Sequence, residues 1–123
     1  MSIKASFIVP HPPLIIPEIG RGEEREIQKT IDSYDKIARQ IAEIEPDIII
    51  VTTPHSIIYA DYIHISPGKK ARGSFYEYGY EDISIETEYD EDLAIQISKE
   101  AEKQGIPAGS LGEKNKNLDH GFM

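Results

Sequence analysis

Three histidines stand where the sequence could organise chemistry. His11 lies in FIVPHPPLI (residues 7–15) and His55 in IIIVTTPHS (residues 48–56), each just past an apolar run and beside proline. His120 lies in LDHGF (residues 118–122). Pro10, Pro12 and Pro54 restrict the backbone around the first two, which lowers the entropy cost of holding each ring. Two convergent neutral imidazoles suit a divalent metal, and Fe, Zn, Mn and Cu are all chemically admissible. The chain has no cysteine, so any metal must be held by His, Asp or Glu. The plain alternative is a structural histidine, which is the commoner case for a single histidine after a strand. Two at equivalent topological positions bring the two readings level. His64, inside the alternating YIHIS, reads as a surface or sheet-face residue. His120 follows Asp119, which could orient it.

The elements that would position these residues follow from periodicity. Residues 3–9 read as a first strand running into Pro10, and residues 11–22, with three further prolines and two glycines, read as loop. A helix is expected from Glu23, where three glutamates suit the positive end of a helix dipole. Ile27, Ile31, Tyr34, Ile37, Ile41 and Ile44 recur at spacings of three and four, and Pro46 ends the pattern. Residues 48–51 are apolar at every position, as in a strand covered on both faces. Strand, helix and buried strand with short loops predict a βαβ unit with a right-handed crossover. In such sheets ligands gather at the carboxyl ends of the strands, which is where His11 and His55 would emerge together.

Beyond His55 the pattern is weaker. Residues 59–66 alternate like a strand, Lys69, Lys70 and Arg72 fall in an expected turn, and residues 73–80 read as an exposed aromatic and polar excursion. Residues 83–89 suit a short strand. Asp90 suits an N-cap for a helix through Leu93, Ile97 and Ala101 that ends at Gly105. Residues 106–111 suit another short strand and residues 114–117 a polar loop. Leu118 to Met123 reads as the approach to a further buried element. The chain is therefore expected to be the N-terminal part of one domain that continues past Met123.

Composition bounds the function. Hydrophobic residues make up 39 % and charged residues 28 % of the 123, a globular balance. The net charge of −9, from 13 Lys+Arg against 22 Asp+Glu, offers no cationic surface for phosphates, so neither nucleic acid nor an anionic membrane is an expected partner. No apolar run approaches the roughly 18–20 residues that cross a bilayer. The lack of cysteine and of a secretory leader makes the cytoplasm the expected compartment.

Other motifs carry less. Ser56 adjoins His55, but adjacent residues on a turn seldom act as nucleophile and base. Gly20-Arg21-Gly22 could hold an anion before the helix, yet glutamates follow it and a plain turn is expected. The carboxylates of residues 86–92 read as a solvated edge and helix start. The aromatics of residues 75–80 could line a pocket for a planar substrate, although packing on the sheet is the simpler expectation.

FIVPHPPLI, VTTPHS and LDHGF in this order resemble the LigB-like family of class III extradiol ring-cleavage dioxygenases. The nearest branch is that of the AmmeMemoRadiSam-associated proteins related to Memo. The resemblance covers the whole chain but about the first half of a typical member. It implies an α/β fold: a mostly parallel or mixed sheet flanked by helices, in a three-layer, phosphorylase/hydrolase-like architecture that is incomplete here. It implies a non-haem Fe(II), with Zn or another divalent metal admissible, and a catechol-like aromatic substrate opened with O₂. His11 and His55 match the two histidine ligands, and His120 matches the active-site histidine near substrate or oxygen. The family's glutamate ligand and acid/base histidine lie in its C-terminal half, so these residues alone are expected to bind metal weakly and not to turn over. In the Memo-like alternative the pocket serves binding or modification of a partner. Homo-oligomerisation is left open.

Overall fold

The fold is described from a computed structural model, over residues 2–111 and 117–123. It is mixed α/β, with helices and small parallel and antiparallel sheets. The chain divides into two compact units, Met1–Val51 and Thr52–Met123.

In the first unit a 3-10 turn (Pro13–Ile15) leads into the single-turn helix α1 (Pro17–Gly20), a second 3-10 turn (Glu23–Ile27) and the long helix α2 (Gln28–Ile44). The stripe of Ile27, Ile31, Tyr34, Ile37 and Ile41 is half-buried, as its spacing predicts. Burial pushes the Tyr34 hydroxyl above its ordinary pKa. The helix ends at Glu45, in the left-handed region at φ 48°, because the following Pro46 disfavours a further helical residue. Gly20-Arg21-Gly22 is the plain turn that the glutamates suggest. The Gly22 N–H donates to Glu24 Oε2 at 2.6 Å, so the local carboxylate takes the donor an anion would need.

Residues 3–9 and 48–51 depart from expectation. Neither belongs to a strand, and the parallel pair predicted between them is absent among the described residues. Ile8 is 99 % and Ile50 67 % exposed. Continuous apolarity states that a segment gains by burial; it does not supply the neighbouring ladder a strand requires.

The second unit contains the parallel pair. Strand β1 (Ile63–His64) pairs with β4 (Ala108–Gly109), reached through an antiparallel hairpin and helix α3 (Glu91–Lys103). The Ile63 N–H donates to the Pro107 carbonyl at 2.9 Å and the Ile65 N–H to that of Gly109 at 2.7 Å. Helix α3 is capped as predicted: Asp90 Oδ1 accepts from the Leu93 N–H at 2.9 Å. At its other end Gly105, at φ 70°, lets the Ile106 N–H reach back to the Ala101 carbonyl at 2.8 Å.

The hairpin joins β2 (Lys70–Phe75) to β3 (Tyr80–Glu88) around a 3-10 turn (Tyr76–Tyr78) closed by Gly79. Lys69 lies in the expected bend, but Lys70 and Arg72 belong to β2; of the expected excursion, residues 73–75 are strand and residues 76–79 are exposed. Ala71, Gly73 and Phe75 alternate inward and are buried, and Lys70 faces Glu86 and Glu88 at 3.6 and 3.7 Å. The returning C-terminal segment lies along β2, with a parallel bridge from Arg72 to Asn117 and a bond from the Leu118 N–H to the Arg72 carbonyl at 3.0 Å. A Cβ at Gly73 would meet Leu118 Cβ and Met123 Sδ at 2.7 Å, so the glycine admits this crossing. Residues 114–116 of the expected polar loop lie outside the described residues.

Candidate metal centre

His11 belongs to the first unit, half-buried between Pro10 and the 3-10 turn (Pro13–Ile15). His55 and His120 belong to the second, where folding brings them together. Their ring centroids are 4.3 Å apart and the planes are tilted by 35°. His64 sits apart from them on β1, ring to ring with Tyr59 at 6.3 Å, which agrees with a sheet-face histidine.

The apposition of His55 and His120 is built from neighbouring residues. Asp119 Oδ1 accepts the Thr53 hydroxyl at 3.0 Å and the Gly121 N–H at 2.7 Å. Thr53 Oγ1 in turn accepts the His55 N–H at 3.2 Å. The Asp119 carbonyl receives the N–H groups of Phe122 and Met123 at 3.0 and 3.3 Å, which winds residues 119–123 into a turn. Gly121 passes so near that a Cβ would lie 2.6 Å from Thr53 Oγ1 and 3.4 Å from His55 Cδ2. The expected link between Asp119 and His120 thus takes the form of a link to Thr53 and Gly121. Sequence reasoning missed Thr53 and Gly121. The available signal was a hydroxyl two residues before one histidine and a glycine directly after the other.

These rings open onto a cleft of about 320 Å³ whose walls include Ser74, Tyr76, Tyr78 and Asp119. Tyr78 stands edge-on to His120, with centroids 6.0 Å apart, and Phe75 supports Tyr78 at 6.1 Å. The aromatics of the hairpin turn therefore both pack and line a pocket. A larger groove of about 600 Å³ runs along α3 between Tyr62, Ala94, Ile95 and Ile106, but it holds none of the candidate histidines. The smaller cleft is the one that His55 and His120 line.

The donor set fits a metal. A ring nitrogen of His55 and one of His120 lie within 4.8 Å of each other. With metal–nitrogen bonds of ~2.1 Å, a metal on His55 would leave the His120 ring close enough to act beside it. Neutral imidazoles suit borderline divalent ions, and hydroxyl-bearing aromatics beside them suit a planar phenolic ligand. Among the described residues no helix is long and apolar enough to cross a membrane.

A family profile of the catalytic LigB subunit of aromatic ring-opening dioxygenases matches residues 5–123. Protein CA_C1420 of Clostridium acetobutylicum is 35 % identical over 130 residues, which cover all of this chain and 28 % of that protein. No solved structure matches the chain.

Proposed function

This chain belongs to the family of catalytic LigB subunits of aromatic ring-opening dioxygenases, and from that premise we propose that it is the N-terminal portion of a non-haem Fe(II) extradiol dioxygenase acting on a catechol-like aromatic. The observation that carries the reading is the apposition of His55 and His120 at 4.3 Å on the wall of an aromatic-lined cleft. In this reading His11 and His55 hold the metal through ring nitrogens, and a carboxylate from outside these residues completes the set. Fe(II) fits a set of two histidines and one carboxylate, and Zn or another divalent ion fits the same nitrogens. When bound, the metal supplies a template and electron conduit for diol and O₂. His120 faces the substrate and holds or moves a proton at a ring nitrogen. Tyr78 orients the His120 ring, while Tyr76 and Ser74 offer hydroxyls to a polar aromatic. The ring bond beside the diol breaks and both atoms of O₂ enter the product, so no external reductant is required. One domain spanning residues 1–123 and continuing beyond them is part of the same proposal.

Anaerobic reconstitution of the longer parent protein with Fe(II), then addition of catechols and O₂, is expected to give a yellow ring-fission product. Iron bound with no product across a panel of catechols would reject the dioxygenase reading and favour the Memo-like one.

A further inference from the structure

We infer that Asp119 and Thr53 are positioning residues, a carboxylate–hydroxyl clamp that holds the His55 loop against His120 and sets the spacing of the two imidazoles. The direction of each hydrogen bond carries the argument. Thr53 has one hydroxyl proton, and it goes to Asp119 Oδ1; the oxygen that remains accepts the His55 N–H. The backbone of His55 is therefore fixed, through one side chain, to a residue 66 positions away from Thr53. The same Oδ1 accepts the Gly121 N–H, and His120 lies between Asp119 and Gly121. A single carboxylate oxygen is thus the common anchor of both histidine-bearing loops, and hydrogen bonds to a charged acceptor are the stronger kind.

Two further observations agree. Gly121 has no room for a Cβ, which would press on Thr53 Oγ1 at 2.6 Å and on Asp119 Oδ1 at 3.0 Å. The other carboxylate oxygen, Oδ2, is buried with no hydrogen-bond partner among the described residues, so Oδ1 alone carries the anchoring. Asp119 is half-buried, and leaving its buried Oδ2 unsatisfied is costly; the placement of two rings is what this cost secures. The inference rests on the metal reading for its consequence, since ligand orientation by outer residues governs metal affinity. Its geometric content does not depend on that reading.

The test compares Thr53→Val, which removes the hydroxyl at nearly constant shape, with Thr53→Ser, which keeps it. Nuclear Overhauser contacts between the ring protons of His55 and His120 report the spacing without metal, while the amide shifts of α3 and the β2–β3 hairpin report the fold. The contacts are expected in the wild type and in Thr53→Ser and should vanish in folded Thr53→Val. Co(II) affinity should fall by ~10-fold or more in Thr53→Val and stay within ~3-fold of the wild type in Thr53→Ser. Ring contacts that persist in Thr53→Val, or that vanish equally in Thr53→Ser, would overturn the inference. If Thr53→Val does not fold, Asp119→Asn against Asp119→Leu carries the same decision, since only the amide keeps an acceptor for Thr53. Rings that stay together in the leucine variant overturn the clamp. A wild-type chain that binds no Co(II) would count against the metal reading, and the ring contacts would still decide the clamp.

Discussion

At His11 and at His55 the chain leaves an apolar segment through proline, yet the two junctions are secured by different bonds. The first is tied locally: the Ile15 N–H donates to the Pro12 carbonyl at 3.1 Å and the Ile16 N–H to that of Pro13 at 3.0 Å. The second is tied over a long range, through Thr53 to Asp119 at 3.0 Å. The apolar runs themselves are alike, residues 3–8 and 48–51 both being exposed, so the difference lies in the partner segment of the second junction. That segment packs on the hairpin beside Asp119, with Leu118 8 % and Phe75 4 % exposed. One sequence pattern can therefore serve two mechanical arrangements, and the difference lies in what the rest of the chain brings to it.

The harshest way to break the comparison is to remove the support under the second junction. Phe75 is buried and its ring backs Tyr78, which stands against His120. Phe75→Ala should cost ~3 kcal/mol, at the low end for an aromatic because this core is shallow. Hydrogen exchange should show lost protection in β2 and β3 and unchanged protection in α2. Equal loss in α2 would mean that the two units unfold as one. Gly121→Ala comes next. Its methyl group would collide with Thr53 Oγ1, so Co(II) affinity should drop by ~10-fold through displaced rings while far-UV circular dichroism is retained. Asp90→Ala is milder. Loss of the N-cap of α3 should cost ~1 kcal/mol in urea unfolding and leave the His55–His120 ring contacts in place.

The two longer helices, α2 and α3, were legible in the sequence because their signals are local, whereas α1 lies in a stretch that reads as loop and the residues from Glu23 to Ile27 form a 3-10 turn before α2. The isoleucine stripe of α2, and the Asp90 cap and Gly105 stop of α3, need no distant partner to be understood. Strand β2 was not legible. Its inward residues are Ala71, Gly73 and Phe75, and two of the three are too small to announce a buried face. Gly73 in particular reads as a loop residue until the crossing of Leu118 and Met123 explains it. Residues 3–9 and 48–51 fail in the opposite way, with a strong hydrophobic signal and no ladder among the described residues. At the site, the histidines could be nominated by residue type and setting. The clamp could not, because a threonine and an aspartate so far apart in sequence reveal their pairing only once the chain has folded.

The smallest effect gives the sharpest form of the comparison. Pro12 sits at φ −72° and ψ 127°, a conformation proline adopts without strain, so its contribution is the conformational freedom it removes from the unfolded chain. Pro12→Ala should therefore loosen the first junction by about 0.4–1 kcal/mol, read as a ~2–5-fold faster exchange of the Ile15 and Ile16 amides. Pro54→Ala removes the proline that precedes His55 at the second junction, where Thr53 still donates to Asp119. If the clamp and not the proline sets that loop, the His55–His120 contacts should survive Pro54→Ala with little change. Loss of those contacts on the scale of Thr53→Val would show that both junctions are held by their prolines. The long-range bond would then follow from the loop's shape, and the distinction between the junctions would collapse.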